Sequence, residues 1–395
     1  MAIRDFTEHI EQYAVEIING RQRTWYDKLF RVFLFVLSYL YRLAVQFRII
    51  LYTQSILKRQ NLGSFVVSVG NLTAGGTGKT PVVELLAKTL TEKGRKVAIL
   101  SRGYRSKPRS LKEKLRHFLS GSEYRFPPKI VSNGKEVLLD SQQAGDEPYM
   151  LARNLLGKNG AQGTAVIVDK DRVNGGSYAI RHFNADTLLL DDGFQYMPLR
   201  PKINIVLVDS TNPFHNHEML PIGLLREPIC NLSRADYIFL TKSDGRPSLR
   251  RLRDFLGEHN SKTPIIECNH VPCNLTGLFD GNIMGLETLK GMKVATICGI
   301  AVPESFENYI RQLGAQIVYK QRYVDHHRYR SAEIEDFCKK GVEAGAQMLL
   351  TTEKDAVRIP QVDTHGKVFM FLRVEIRIIR GQEYFDDCIK SICMM

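Results

Sequence analysis

Cysteine is scarce in this chain and poorly spaced for chemistry. The 395 residues include seven, at positions 230, 268, 273, 298, 338, 388 and 393. The number is odd and no Cys-x-x-Cys pair occurs, which argues against a disulfide framework and against a common zinc knuckle. Reduced, mostly buried thiols in a cytosolic protein are the expectation. Long hydrophobic runs are also missing. The one membrane-like segment, residues 29–52, has a longest charge-free run of ten residues, Val32 to Tyr41. A single membrane span needs about twenty apolar residues, so this run is too short to cross alone. No secretory leader is legible either. The first twenty residues mix acids with apolar residues, and no small-residue cleavage site follows an early apolar core.

What is present is an ordinary globular balance, 44% hydrophobic and 25% charged. Collagen, coiled coil and wholesale disorder do not fit it. Lys and Arg exceed Asp and Glu by 13, a surplus that points to an anionic partner. The surplus is local. Residues 21–60 hold eight basic residues and one acid, and residues 95–129 hold eleven basic residues and two acids. The remaining residues carry 36 basic and 39 acidic groups. A nucleic-acid coat would spread its charge more widely, so no nucleic-acid partner is expected.

The first basic surplus lies on the apolar segment 29–52. At helical spacing Arg31, Ser38, Arg42 and Gln46 share a narrow stripe, and nearly everything else is Leu, Ile, Val, Phe or Tyr. A wide apolar face edged by arginines suits a helix lying in a membrane interface, with its cations at the headgroups. The polar stretch before it reads as a separate helix without chemistry.

A short apolar run, residues 64–70, is followed by NLTAGGTGKTP and then by the helical pattern VVELLAKTLTEKG. Strand, glycine loop, Gly-Lys-Thr and helix form the phosphate-binding arrangement. Thr73, Ala74, Gly75, Gly76, Thr77, Gly78, Lys79 and Thr80 are the expected nucleotide-binding residues. Glycines let backbone N–H groups close on phosphate oxygens, Lys79 neutralises phosphate charge, and the Thr80 hydroxyl can ligate Mg²⁺. One departure is visible: the common pattern has glycine where this chain has Thr73. The next strand pattern, residues 96–104, ends in Ser101-Arg102-Gly103-Tyr104, and a basic run follows through Arg116.

Three acidic clusters stand where later elements begin. Asp146 and Glu147 precede a helical pattern, where acids also serve as ordinary helix-start residues. Asp169, Asp171 and Arg172 follow one β-rich run, and Asp191, Asp192 and Gln195 follow another. A carboxylate at a strand tip in such a protein commonly serves Mg²⁺. Of the two runs, Asp-Asp-Gly-Phe-Gln is the sharper. A proline-bounded loop, residues 219–228, carries Arg226 and Glu227. Thr241-Lys242-Ser243-Asp244 resembles the Asn-Lys-x-Asp box by which GTPases read guanine, a short match that keeps a GTPase-type regulator or metallochaperone as the alternative.

Residues 274–290 are turn-rich, after which a second, smaller α/β pattern begins. Asp325-His326-His327 falls between one of its strands and the next helix, where a histidine beside an acid can assist proton transfer. Lys354-Asp355 reads as surface. The fold expected is α/β: a mostly parallel sheet of the P-loop NTPase type, a smaller α/β domain, and an N-terminal amphipathic helix. The boundaries read as 1–28 for an extension, 29–60 for the helix, 61–285 for the P-loop domain and 286–395 for the C-terminal domain.

Taken together, SVGNLTAGGTGKTP, LSRGY, AGDEP, LLDDGFQY, LPIGLLREP, the Asp-His of YVDHH and TEKDAV resemble the tetraacyldisaccharide 4′-kinase family, the lipid A 4′-kinases of Gram-negative bacteria. They occur in the family's order. The resemblance implies transfer of the γ-phosphoryl group of ATP, with Mg²⁺, to the 4′-hydroxyl of an acylated glucosamine disaccharide 1-phosphate. It implies a peripheral protein on the cytoplasmic face of the inner membrane; a monomer is the expectation for the assembly. It makes Asp146 the base, assisted by His326, with Lys79 on the phosphates. It gives Thr80, Asp191 and Glu147 to the metal, and Asp192, Gln195, Arg226, Glu227, Arg172 and Tyr104 to substrate or site geometry.

Overall fold

The computed structural model describes residues 25–103, 106, 126–157 and 160–394. Tyr104 and the basic run from Lys107 to Arg116 lie outside the described residues, as does the N-terminal stretch before Trp25. Along the chain the first elements are α1 (Trp25–Thr53), β1 (Phe65–Asn71), α2 (Lys79–Glu92), β2 (Val97–Ser101), β3 (Lys129–Asn133), α3 (Ser141–Ala144) and α4 (Asp146–Asn154). Then come β4 (Ala165–Val168), α5 (Arg172–Phe183), β5 (Thr187–Asp191), β6 (Ile203–Asp209), β7 (Tyr237–Thr241), α6 (Arg250–His259) and β8 (Ile265–Gly277). The last are β9 (Ile283–Met284), β10 (Lys293–Cys298), α7 (Pro303–Gln312), β11 (Gln316–Arg322), α8 (Ser331–Glu343), β12 (Met348–Thr352), α9 (Glu353–Ala356), β13 (Val368–Arg380) and α10 (Gln382–Cys393). The result is an α/β fold whose strands are mostly parallel.

Contacts divide the chain into two compact units. The first comprises residues 1–79, 190–268 and 378–395, and the second residues 80–189 and 269–377. In the first unit β1, β6, β7 and the start of β8 lie side by side in parallel. Every residue of β1 is buried, as expected of a parallel strand covered on both faces. Leu72, Phe194, Val206, Leu240 and Leu256 form the core there, and Tyr41 and Val45 of α1 pack against it. Gly70 has a specific reason. A Cβ at that position would sit 2.6 Å from Cβ of Phe194 and 2.7 Å from its backbone nitrogen, so only glycine lets the Asp-Asp-Gly-Phe-Gln turn approach β1.

α1 has 29 residues, far beyond the ten charge-free residues counted in the sequence. By length and composition alone the whole helix could cross a bilayer, while the expectation of too short a run concerned only its charge-free residues 32–41. The polar stripe also divides. Ser38 is buried and donates to the Met219 carbonyl at 2.9 Å, and Gln46 reaches Asn231 at 3.3 Å. Arg31 and Arg42 remain exposed. Leu34, Ser38, Tyr41 and Val45 face the body at alternating three- and four-residue steps, while Phe33, Phe35, Val36, Tyr39, Leu40, Leu43 and Phe47 stay exposed.

In the second unit β2 and β4 are parallel and β3 joins β4 antiparallel. β11, β10, β12 and β13 form a parallel run. Its two faces are covered by apolar clusters around Phe337, Ile297 and Leu349 and around Ile310, Leu350 and Met370. The turn-rich stretch predicted at 274–290 begins as strand, because β8 runs on to Gly277 and pairs with β9 in a hairpin.

Candidate active site

The phosphate loop connects β1 to α2. Gly75 has φ +117° and Gly78 φ +80°, backbone conformations that side chains rarely tolerate. The loop is braced from the segment holding Arg226. Ala74 N–H donates to the Leu224 carbonyl at 2.6 Å, and Thr73 forms an isolated antiparallel bridge with Leu225. Asn71 Nδ2 donates to the Thr73 carbonyl at 2.8 Å. The departure from the common glycine thus sits in extended, bonded backbone, which a threonine adopts without strain. Thr77 is buried, its hydroxyl oxygen without a hydrogen-bond partner.

Lys79 begins α2. Its Nζ donates to Asn71 Oδ1 at 3.2 Å and lies 3.5 Å from Asp192 Oδ1. Arg226 Nη1 donates to both Asp192 oxygens, at 2.9 and 2.8 Å. Asp192 therefore holds two cations, and its own φ of +57° is a strained value of the kind found at functional turns. Gln195 Nε2 donates to the Asn71 carbonyl at 3.0 Å and to Glu227 Oε1 at 3.2 Å. Glu227, 2% exposed, also accepts from Asn231 at 2.8 Å and from Arg234, whose guanidinium lies 4.1 Å from the Phe194 ring centroid. Glu227 and Gln195 are thereby committed to a positioning network that ends on Lys79. Sequence reading missed Asn71, whose place at the end of an apolar strand gives no chemical hint.

In the second unit Asp146 opens α4, and the helix N-cap is Gly145. Its carboxylate turns away from its own helix. Asp146 Oδ2 lies 3.4 Å from His326 Nδ1 and 3.4 Å from Arg358 Nε, and Oδ1 accepts from Arg328 at 3.0 Å. Burial alone would raise this carboxyl, but the hydrogen bond from His326 and the charges of Arg358 and Arg328 outweigh it. The net result is a pKa below the usual carboxylate range. Asp146 is thus ionised at neutral pH, able to accept a proton.

His326 has φ +63°, and its N–H donates to the Gly299 carbonyl at 3.1 Å. Gly299 N–H in turn donates to Asp355 Oδ1 at 3.1 Å, as does the Tyr329 hydroxyl at 2.8 Å. Asp355 is fully buried, so its reading as surface is corrected. It anchors the loop that carries His326, and it lies 3.5 Å from Arg358 Nη2. Arg328 and Arg358 were not found by sequence reading, since an arginine outside any motif looks like surface charge.

The remaining candidates are placed as follows. Thr80 is buried and follows Lys79 directly. Asp191, the last residue of β5, is buried. Glu147 is half-exposed, 3.8 Å from Lys354. Arg172 is buried in the first turn of α5. Asp171 caps that helix by accepting from Val173 and Asn174, and Asp169 accepts from the Asn174 side chain at 2.7 Å, so both have local structural work. Among the described residues no three His, Cys, Asp or Glu side chains gather as a metal cage. Mg²⁺ needs none, since it is commonly held by one or two oxygens of the protein plus substrate phosphates and water. The Thr80 hydroxyl and Asp191 carboxylate are donors of that hard kind.

The family model Tetraacyldisaccharide-1-P 4'-kinase (LpxK) matches residues 30–393. The chain belongs to this family. It is similar to the tetraacyldisaccharide 4'-kinase of Syntrophus aciditrophicus, at 36% identity over 370 residues covering 91% of this chain and 92% of that one. That of Halothermothrix orenii is 33% identical over 372 residues, 91% of each chain. The crystal structure of LpxK from Aquifex aeolicus in complex with ATP superposes with a TM-score of 0.71 at 28% identity, covering 92% of this chain and 99% of that one. Membership makes the chain an ATP-dependent kinase using Mg²⁺. It sets aside the GTPase-type regulator or metallochaperone kept as the alternative.

Proposed function

We propose that this kinase transfers the γ-phosphoryl group of ATP to the 4′-hydroxyl of tetraacyldisaccharide 1-phosphate, giving lipid IVA. The observation that carries the chemical part is the Asp146 carboxylate, held ionised beside His326. The acceptor oxygen attacks the γ-phosphorus, the bond to the β-bridging oxygen breaks, and the hydroxyl proton passes to Asp146. His326 orients that carboxylate and helps disperse the proton. Lys79 and Arg226 neutralise phosphate charge, and Asn71, Asp192, Gln195 and Glu227 fix where those cations stand. Bound Mg²⁺ would add charge neutralisation on the phosphates, with Thr80 and Asp191 as its protein donors and Glu147 as a further carboxylate of the metal region. Arg172 and Tyr104 are proposed substrate contacts. In this reading residues 61–285 form the kinase portion and 286–395 the smaller portion that supplies His326.

We further propose that the protein works as a monomer on the cytoplasmic face of the inner membrane, with α1 lying in the interface. Ser38, Tyr41 and Gln46, in the middle of α1, all bond to the body, Tyr41 donating to the Arg226 carbonyl at 3.2 Å. A helix crossing the bilayer there would drag that polar body into hydrocarbon, whereas a helix in the interface keeps its outer face in lipid. A cavity of about 330 Å³ beside α1, lined in part by Phe35, Tyr39, Arg42, His217 and Ile229, offers apolar walls and a cation to an acylated anion.

Incubation with γ-labelled ATP and the disaccharide 1-phosphate in detergent micelles is expected to place label at the 4′ position. Folded protein that leaves the lipid unlabelled would reverse the assignment. On anionic vesicles, raising salt is expected to release the protein only in part, because salt screens the arginines but not the apolar burial of α1. Complete release, measured by sedimentation, would show that α1 is not inserted.

A further inference from the structure

One cluster of charged side chains in the second unit touches neither the phosphate loop nor the Asp146–His326 pair. Arg373, in the middle of β13, reaches two carboxylates at once. Its Nη1 donates to Glu353 Oε1 on α9, and its Nη2 donates to Glu84 Oε1 on α2. Asn154, the last residue of α4, joins the same two acids. Its Nδ2 donates to Glu353 Oε1 at 2.8 Å and to Glu84 Oε2 at 3.0 Å. All four residues belong to the second unit. One guanidinium and one amide thus hold α2, α4, α9 and β13 at a single point.

The elements gripped there carry candidate chemistry. α4 runs from Asp146 to Asn154, so a tilt imposed at its last residue is carried along a short rigid helix to its first. α9 carries Glu353 and Asp355, and Asp355 anchors the loop of His326 through Gly299 and Tyr329. One short helix therefore holds α4 with one acid and the His326 loop with another. Arginine suits the centre of the clamp, because its planar fork serves two acceptors where an ammonium is a point charge. The acids outnumber the cations around it. Arg373 faces Glu84 and Glu353, and Glu375 lies 4.0 Å from its Nε and 3.9 Å from Lys88. Burial pushes the Glu353 carboxyl up to about 7, helped by the charge of Glu84 and opposed by Arg373, the Asn154 hydrogen bond and Arg153.

We propose that Glu353 and Arg373 are positioning residues for phosphoryl transfer, which through Asn154 set the angle at which α4 presents Asp146 to His326. Neither touches the reacting atoms. The inference rests on Asp146 being the base and adds what holds that base in place. The hydrogen bonding is that of an ionised Glu353, whose Oε1 accepts from both Arg373 and Asn154. Protonation removes the charge that makes those bonds strong. Turnover is therefore expected to rise with pH through neutrality, where the Asp146 carboxyl, with its depressed pKa, is already ionised.

The test measures lipid phosphorylation by the full-length protein in detergent micelles, at saturating acceptor and at pH values spanning about 5 to 9. Glu353→Gln keeps the shape and the acceptor oxygen but cannot ionise, and it is expected to lose the rise in kcat that the wild type shows near neutrality. Arg373→Ala is expected to lower kcat by about tenfold to a hundredfold, the cost of a misplaced reacting group. KM for ATP should stay within about twofold of wild type. Arg373→Lys is expected to rescue little, since one ammonium does not fork between two acids. A wild-type kcat in Arg373→Ala, a wild-type profile flat across neutrality, or a rise that persists in Glu353→Gln would overturn the proposal. So would equal losses of kcat and ATP affinity, which mark general damage to the fold. Asp146→Asn assayed in parallel separates the two readings. A loss there without a loss in the clamp variants strikes the clamp alone, whereas wild-type turnover there strikes the base.

Discussion

Asp146→Asn is expected to lower kcat by about two to four orders of magnitude, the usual contribution of a positioned general base. ATP affinity should change little, because the contacts of Asp146 are to His326, Arg328 and Arg358 rather than to the phosphate loop. The amide keeps the shape of the carboxyl. Arg358, fully buried, still has Asp355 at 3.5 Å, so the variant should fold. A single-turnover rate close to wild type would remove Asp146 from the chemistry. A pH dependence accompanies this. The folded pKa of Asp146 is depressed, so its ionised form adds stability above the ordinary carboxyl pKa of about 3.9. That contribution is lost as pH falls through the lower folded value. Acid unfolding monitored by circular dichroism should therefore show a shallower acid loss in Asp146→Asn than in the wild type. The same depression implies that the protonation of Asp146 does not limit activity anywhere near neutrality.

Lys79→Met is expected to reduce kcat/KM for ATP by about 10²–10³-fold, as for removal of one preorganised charge partner of a transition state. The effect should appear in nucleotide binding as well as turnover, which separates it from the Asp146 variant. Folding should survive. Asp192 keeps both hydrogen bonds from Arg226, and Asn71 keeps its bond to the Thr73 carbonyl. Retained turnover in Lys79→Met would show that Arg226 alone carries the phosphate charge.

The elements that carry local signals were legible. The apolar run, glycine loop and helical pattern around Lys79 predict β1, the loop and α2, because each depends on residues close in sequence. The doubled acid at the end of β5 likewise marked a turn, and Gly70 shows why that turn has its form. The pairing of Asp146 with His326 is different. The two lie 180 residues apart, and no periodicity relates them, so only the family resemblance suggested it. Arg328 and Arg358 had no signal at all. Asp355 looked like surface charge because burial of an acid depends on partners, here Tyr329, Gly299 and Thr352, that sequence order does not bring together.

Composition and motif order thus determined the α/β class, the phosphate loop, the family and the local placing of positive charge. The tertiary structure alone decided which acids are spent on helix caps, as Asp171 is, and which are turned toward histidine and arginine, as Asp146 is. It also decided that Ser38 and Gln46 of α1 face the body while the aromatic face is left exposed. The physical reason is common to these cases. Helical or strand period says which side chains share a face, but a carboxylate's protonation and a helix face's partner are set by groups brought close only when distant segments fold together.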